Sequence, residues 1–398
     1  MFTIPRDRVV SIDPYSDAST SDHVAAHDEL REAGEVVYLE KYGVYATGRF
    51  DIVDRLFREW QTFEVGSGIG LVNIRRGPDP QEPLGILEAD PPRHDSIRRA
   101  ASTVIGPRKL RALRPVWMAE ANTLIDGLAG RDRIDGVSDI SHVFPQRVFL
   151  EALGIRNHEQ VDLALFGAYL FNLSGPPNEL SHHMEDRIPP IWEWIAENTR
   201  REALVPGRIA SDVWEARDRG EITDQQASDI VFALLAAGVD TTVNGISAVI
   251  ASLARHPDQY RRLREDPALA RIAFDEAVRL ESPITAMFRA ATTDVELGGV
   301  TIPAGEKIFL SILGANRDPR RWDRPTEFDL DRDPSGHLGF GIGIHQCVGQ
   351  HIARLEAESM VTAFARRVTS LELAGDVVMQ PNNRMQIFES IPLAVEWD

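Results

Sequence analysis

The residue with the most evident chemistry is the single cysteine of the chain, Cys347. It lies in the segment Phe340-Gly341-Ile342-Gly343-Ile344-His345-Gln346-Cys347-Val348-Gly349, and a helical pattern follows from 348 to 367. Glycine allows tight turns and close backbone approach, and the N–H groups at a helix start favour a thiolate. The segment therefore predicts a loop that presents sulfur to a metal. The alternative is a buried, inert thiol.

A second group with chemical potential is an acid beside an alcohol, Asp240 and Thr241. Asp240 is the only charged residue between Ile230 and Ala254, and Gly238 precedes it by two positions. A buried carboxyl is costly without a partner, and glycine weakens a helix. Since an acid and an alcohol are suitable groups for moving protons, the pattern favours a catalytic role. The alternative is a helix kink with a capping side chain.

Three further sites combine charged residues at informative spacings. Glu276 and Arg279 are three residues apart, and His94 and Arg98 are four apart, so each pair shares one helix face. Each pair also fits an ordinary surface position. Arg289 follows the mostly apolar segment 284–288. A cation there predicts a buried anionic partner, because charge-assisted hydrogen bonds suit carboxylates.

The elements that position these residues belong to a large, acidic chain of 398 residues, 43% of them hydrophobic. A chain of this length can bury a sizeable core. Its formal net charge of -18 disfavours nucleic acid and membrane surfaces as partners. One cysteine excludes an internal disulfide, and no signal-peptide core follows Arg8. Polar residues interrupt the apolar stretch 230–254, so we expect a buried helix of a cytoplasmic protein rather than a membrane span.

Helical patterns dominate the middle of the chain, and short strand patterns lie towards both ends. Five glycines and three prolines between 66 and 85 predict a long irregular loop, which is typical of a functional segment. No composition break suggests a linker, so we predict a single domain over 1–398. The predicted segments are a helix at Asp22–Ala33, strands at Val36–Leu39, Gly43–Thr47, Val295–Ile302 and Lys307–Ile312, and helices from Arg93 to Glu281.

The cysteine segment resembles the haem-binding signature of the cytochrome P-450 family, the haem-thiolate monooxygenases. The other motifs follow in family order, so the resemblance covers nearly the whole chain. It implies the cytochrome P-450 fold, mainly α with small β-sheets, and haem b with Cys347 as the ligand of its iron. It also implies that Asp240 and Thr241 are catalytic and that Glu276 and Arg279 form a buried structural pair, for which Arg332 is the candidate third partner. The implied cofactor-binding residues are His94, Arg98, Ala237, Gly238, Arg289, Phe340, Gly341, His345, Cys347 and Gly349.

Within the family, the chain resembles the bacterial enzymes that oxidise para-substituted benzoates. The segments that match are 175–180, 240–246 and 335–337. By this resemblance the wall of the substrate pocket comprises Leu87, Leu170, Phe171, Ser174, Ala233, Ala237, Ile284 and Met287. The alternative for each of them is ordinary core packing.

The chain departs from that subgroup where the substrate carboxylate is held. Arginine and serine are replaced there by Gln81, Leu84, Phe232, Ala233 and Ala236. A buried carboxylate without a partner is costly, so we expect a neutral substrate such as a methoxyphenol or an alkylphenol. A para-substituted benzoate is the alternative, for which Arg75 and Arg76 would have to compensate.

The resemblance implies a monomeric monooxygenase that hydroxylates or O-demethylates a small aromatic substrate with O2. Electrons would come from an iron–sulfur ferredoxin and its NAD(P)H-dependent reductase. A peroxide-driven peroxygenase and a non-catalytic haem sensor are alternatives, which the pair Asp240 and Thr241 disfavours. Docking of an acidic ferredoxin needs a basic patch, for which the candidates are Arg99, Arg108, Lys109, Arg111 and Arg354.

Overall fold

The computed structural model describes residues 4–76, 79–83, 85–156 and 161–398. Helices form most of this structure. Their bounds are α1 Asp17–Ser21, α2 His23–Ala33, α3 Phe50–Arg58, α4 Arg93–Val104, α5 Pro107–Leu128, α6 Val143–Leu153, α7 Leu163–Asn172, α8 Glu179–Met184, α9 Ile188–Asn198, α10 Ile209–Asp218, α11 Asp224–Gly238, α12 Asp240–Arg255, α13 Pro257–Glu265, α14 Ala270–Glu281, α15 Ile312–Asn316 and α16 Gln350–Arg367.

The strands are short and form small sheets at the edge of the helical body. A six-stranded sheet has the order β1-β2-β3-β9-β6-β4, a three-stranded sheet has the order β10-β13-β5, and β11-β12 and β7-β8 are two-stranded. This architecture confirms a mainly α fold with small β-sheets. The bounds are β1 Val9–Val10, β2 Val37–Leu39, β3 Val44–Thr47, β4 Phe63–Glu64, β5 Arg133–Asp135, β6 Ala286–Ala291, β7 Val295–Leu297, β8 Val300–Ile302, β9 Lys307–Ser311, β10 Val368–Leu373, β11 Val378–Gln380, β12 Ile387–Ser390 and β13 Pro392–Trp397.

The apolar stretch expected as a buried helix forms two helices, α11 and α12, in the centre of the molecule. Helix α12 packs against α7, α14 and α16, and its apolar residues lie inside the main hydrophobic cluster. By length and composition Asp224–Arg255 would be long enough to cross a membrane, but 78% of its apolar window is buried inside the protein. The stretch is therefore core, as expected, although it is interrupted at Val239.

One strand lies where only helices were expected. Strand β5 falls between α5 and α6, and its residues pair antiparallel with β13 near the C-terminus. Three residues are too few to show the alternation that identifies a strand, and their partner is some 260 residues away. The strands predicted at 36–39, 43–47 and 307–312 and the helix at 22–33 are found within a few residues of the predicted bounds. The run Val295–Ile302, predicted as one strand, is instead the antiparallel hairpin of β7 and β8, because Gly298 and Gly299 turn the chain with positive φ. The described parts of the segment 66–85 contain no helix or strand, as predicted.

Candidate active site

The cysteine loop is held by two glycines in the left-handed region of backbone space. Gly341 has φ of 63° and Gly343 has φ of 77°, which residues with a Cβ rarely adopt. The loop closes where the Cys347 N–H donates to the Phe340 carbonyl at 2.8 Å, and α16 begins three residues later. Cys347 is accessible and lines a large cavity. Burial raises the pKa of Cys347, while the backbone N–H groups of Gly349 and Gln350 oppose that rise and favour a thiolate.

The cavity lies between the cysteine loop and the junction of α11 with α12, and it comprises about 1740 Å³ of space, part of which is open to solvent. All ten residues that the sequence predicted for the cofactor line this one cavity: His94, Arg98, Ala237, Gly238, Arg289, Phe340, Gly341, His345, Cys347 and Gly349. The fold thus brings together residues that are up to 255 positions apart in the sequence.

A cluster of cationic and imidazole groups forms one wall of the cavity. His94 Nε2 and Arg289 Nε are buried and have no hydrogen-bond partner among the described residues. The imidazole rings of His94 and His345 lie 4.8 Å apart, and Asp90 lies 3.2 Å from His345 Nε2. Burial lowers the pKa of Arg289 to about 10, which still leaves it charged at neutral pH. Buried donors without acceptors are unfavourable, so this wall fits the propionate carboxylates of haem.

The break between α11 and α12 positions the proposed catalytic pair. Thr241 lines the cavity, and its hydroxyl donates to the Ala237 carbonyl at 2.7 Å. Asp240 is 3% exposed and lies behind this wall rather than in it. Asn244 Nδ2 donates to Asp240 Oδ1 at 3.1 Å, whereas Oδ2 has no partner among the described atoms. Burial, together with nearby Asp162, raises the pKa of Asp240 well above its usual value, so it can hold a proton.

The pair Glu276 and Arg279 is fully buried and has the third partner that the sequence left open. Arg279 Nε and Nη2 donate to the two oxygens of Glu276 at 2.7 and 2.9 Å. Arg332 Nε donates to Glu276 Oε1 at 2.9 Å. Arg279 also donates to the Asn316 and Pro325 carbonyls. The three charged residues therefore tie α14 to the segment that precedes the cysteine loop.

Six of the eight residues predicted for the substrate line the same cavity: Leu87, Phe171, Ala233, Ala237, Ile284 and Met287. Leu170 and Ser174 do not line it. Leu170 packs against the main hydrophobic cluster, since successive helical residues point in different directions. Ser174 Oγ donates to the Phe171 carbonyl at 2.6 Å, and its own carbonyl accepts from Leu71 N at 2.8 Å. For the six residues that line the cavity, contact with the substrate stays a prediction.

The positions that replace the subgroup's carboxylate-binding residues carry no cation. Phe232 stacks on Trp192 with ring centroids 5.3 Å apart, Ala236 is buried, and Gln81 is exposed, whereas Leu84 lies outside the described residues. Arg75 and Arg76 pair with Glu64 and Glu306 at the surface, so they do not compensate.

Sequence reasoning missed one cation on the cavity wall, Arg384. It lies between β11 and β12, and no local motif marks it. Only the packing of the C-terminal strands against β6 and the glycine-rich loop brings it to the cavity, so the sequence offered no signal for it.

A cysteine in a glycine loop, a large cavity and unpaired donors suited to propionates are the attributes of a haem-thiolate protein. Comparison with known proteins agrees. The cytochrome P-450 family profile matches residues 195–388. Cytochrome P-450 CYP199A2 of Rhodopseudomonas palustris is 43% identical over 385 residues, which cover 96% of this chain and 93% of the relative. Cytochrome P-450 107B1 of Saccharopolyspora erythraea is 33% identical over 309 residues, which cover 76% of this chain and 75% of the relative. The chain belongs to the cytochrome P-450 family.

Solved structures show the same fold. Cytochrome P-450 CYP109Q5 from Chondromyces apiculatus has a TM-score of 0.81 at 26% identity, covering 98% of this chain and 99% of the other. Cytochrome P-450 CREJ, in complex with (4-ethylphenyl) dihydrogen phosphate, has a TM-score of 0.84 at 27% identity, covering 96% and 99%. The protein is therefore a cytochrome P-450 monooxygenase, whose family uses haem b, O2 and redox partners.

Proposed function

We propose that the enzyme hydroxylates or O-demethylates a small aromatic substrate, with electrons supplied by an iron–sulfur ferredoxin. The observation that carries this proposal is the apolar sector of the cavity, where Leu87, Phe171, Ile284 and Met287 share one space with Thr241. Apolar and aromatic walls with a few polar groups are typical of sites for small organic ligands. When bound, thiolate-ligated haem supplies the activation of O2, and the electron density from sulfur favours O–O cleavage.

The residues of the chain contribute proton delivery. Burial raises the pKa of Asp240 and so favours its protonated form, and Asn244 Nδ2 donates to one of its oxygens. The Thr241 hydroxyl is held at the cavity wall by its bond to Ala237, which leaves its oxygen able to accept a hydrogen bond. In this proposal a proton passes from Asp240 to the cavity by way of Thr241.

Replacement of Thr241 tests this role. Thr241→Ala removes the hydroxyl, so we expect NADH consumption to continue while product per NADH falls by about 10²-fold and hydrogen peroxide appears instead. Thr241→Ser keeps the hydroxyl and is the matched control, which should retain most of the coupling. Unchanged coupling in Thr241→Ala would refute the role. A reduced-CO difference spectrum with the red-shifted Soret band of thiolate ligation confirms the cofactor first.

The proposed ferredoxin site is the surface next to Cys347. Arg99, Arg108 and Arg111 are exposed there, whereas Lys109 and Arg354 already pair with Asp212 and Asp275. In sequence, the exposed arginines adjoin Arg98, Pro107 and Leu110, which line a surface concavity that reaches Cys347. We expect turnover at limiting ferredoxin to fall with rising salt, because salt screens exposed charges. Turnover that does not change with ionic strength would exclude electrostatic docking.

The charge of the substrate is the finer part of the proposal. The five substituted positions favour a neutral methoxyphenol or alkylphenol, and this stays a prediction. Arg384 on the cavity wall favours the alternative, a para-substituted benzoate. Spin-state titration of the haem enzyme with both classes of ligand decides between them, and product analysis of the tighter ligand gives the site of oxidation.

A further inference from the structure

Arg384 is a buried cation that lines the cavity but does not belong to the residues predicted to bind the cofactor. The ionisable residues that line the described cavity are His94, Arg98, Arg289, His345, Cys347 and Arg384. The first five belong to the predicted cofactor set. No Asp or Glu lines the cavity in the part of the chain that the structure describes. Arg384 therefore faces a space whose walls carry positive and neutral groups.

Among the described residues, the hydrogen-bond partners of the Arg384 guanidinium are neutral groups. Nε donates to the Ala286 carbonyl at 2.8 Å and Nη1 donates to the Ile69 carbonyl at 3.1 Å. Nη2 contacts the sulfur of Met287, and the guanidinium carbon lies 5.7 Å from the centroid of the Phe171 ring. A guanidinium has five N–H donors, and a thioether is a weak acceptor. An oxygen atom of a bound substrate would therefore be a stronger hydrogen-bond acceptor for Nη2 than the sulfur of Met287.

Those contacts also place Arg384 beside residues predicted for the substrate. Met287 and Phe171 both line the cavity, and both touch the guanidinium. The bonds to Ala286 in β6 and to Ile69 in the glycine-rich loop hold the side chain against this wall. The Phe171 ring lies within cation–π distance of the guanidinium. The guanidinium is therefore positioned in advance for a ligand that occupies the apolar sector.

The surroundings favour an anion at this point. Arg384 is 2% exposed, and burial lowers its pKa to about 10, with partial opposition from Tyr15 and Glu88. The side chain is still charged at neutral pH. Arg289 and Lys307 lie close enough to influence the same region electrostatically. A buried cation gains most when an anion binds it directly through charge-assisted hydrogen bonds.

We propose that Arg384 determines substrate specificity by binding a carboxylate on the aromatic ring, in place of its contact with the Met287 sulfur. This inference rests on the proposed function, oxidation of a small aromatic substrate. It assigns to the C-terminal segment the task of binding a carboxylate, for which the positions 81, 84, 232, 233 and 236 carry no charge. A planar guanidinium fork matches the two oxygens of a carboxylate.

The test is spin-state titration of the haem enzyme with 4-methoxybenzoate and its neutral isostere 4-methoxybenzamide. We expect the wild type to bind the carboxylate about 30-fold or more tightly than the amide, as for a desolvated charge pair. Arg384→Gln should bring the two dissociation constants within about 3-fold of each other while amide binding changes little. Arg384→Lys should retain part of the preference, because it keeps the charge but not the fork. Arg75→Gln, on the exposed side of the loop, is the control and should keep the full preference.

Two results would overturn the inference. One is a wild type that binds the carboxylate no more tightly than the amide. The other is an Arg384→Gln variant that weakens both ligands equally, since this would make Arg384 only a clamp on the glycine-rich loop. If Arg384→Gln loses haem, the wild-type ratio and Arg384→Lys decide the matter. If the wild type binds and oxidises the amide but does not prefer the carboxylate, only the role of Arg384 is refuted. If the wild type binds neither ligand, the proposed substrate class is refuted as well.

Discussion

Gly238, the last residue of α11, offers a sharp test of how the cavity wall is packed. A Cβ at this position would lie 2.4 Å from Phe149 Cε1 and 2.8 Å from Phe149 Cζ. Carbon atoms in contact normally lie about 3.5–4.0 Å apart, so the ring would have to retreat by more than about 1 Å. Phe149 is 2% exposed and lines the same cavity, so any retreat disturbs the core or enters the cavity. We therefore predict that Gly238→Ala destabilises the protein.

The magnitude follows from comparison with a glycine in an equivalent setting. Gly127 lies next to the last residue of α5, and a Cβ there would have nothing within 4 Å. Both substitutions gain a similar helix propensity, up to about 1 kcal/mol. Overpacking of a core costs about 1–3 kcal/mol, so Gly238→Ala should be less stable than Gly127→Ala by that amount. Gly127→Ala itself should be as stable as the wild type or more stable.

The assay is urea unfolding of the haem enzyme, with all variants compared at equal haem content. A double-mutant cycle with Phe149→Leu isolates the contact, because the penalty of Gly238→Ala should fall below about 0.5 kcal/mol once the ring is absent. Equal stability of Gly238→Ala and Gly127→Ala would refute the reasoning. A penalty that persists in the Phe149→Leu background would show that another neighbour requires the glycine.

Two other predictions concern buried charges. Arg332→Gln should lower the free energy of unfolding by about 1.5–3 kcal/mol, because it removes a charge-assisted bond to fully buried Glu276. Arg58→Gln, at an exposed i,i+4 pair with Asp54, is the control and should cost under about 0.5 kcal/mol, and equal losses would contradict the prediction. Burial lowers the pKa of Lys307 to about 7 from 10.5. The unfolded chain therefore binds more protons between those values, and stability should rise with pH there, by about 2 kcal/mol from pH 7 to 9. Lys307→Met should lose this rise in urea titrations at the two pH values, and an unchanged slope would rule out Lys307 as its source.

The features that the sequence predicted well are those whose cause is local. The cysteine loop could be recognised because Gly341 and Gly343 must adopt positive φ within the motif itself. The helix after it begins within two residues of the predicted start, at Gln350. The acid and alcohol at 240 and 241 are adjacent in the chain. Each of these inferences needed only neighbouring residues.

The features that the sequence missed or left open depend on distant partners. Arg384 reaches the cavity only through bonds to Ala286 and Ile69, which are 98 and 315 residues away. The bond of Arg332 to Glu276 spans 56 residues, so the sequence named a candidate without a geometric reason. Leu170 and Phe171 are adjacent on α7, yet only Phe171 lines the cavity. The direction in which such side chains point follows from tertiary packing rather than from pattern.

Charge balance in the cavity links its two polar regions. Its described lining contains three arginines, Arg98, Arg289 and Arg384, and no carboxylate. In haem bound to Cys347, the porphyrin dianion and the thiolate together balance the ferric ion, so the net charge of the group is that of its two propionates. Arg98 and Arg289, which are predicted to hold the cofactor, match those propionates one to one. Arg384 then remains as the positive charge in the lining that neither the cofactor nor another lining residue balances, while buried Glu88 acts on it from outside the lining. Under the proposal that Arg384 binds the substrate, a monoanionic ring substituent completes this site.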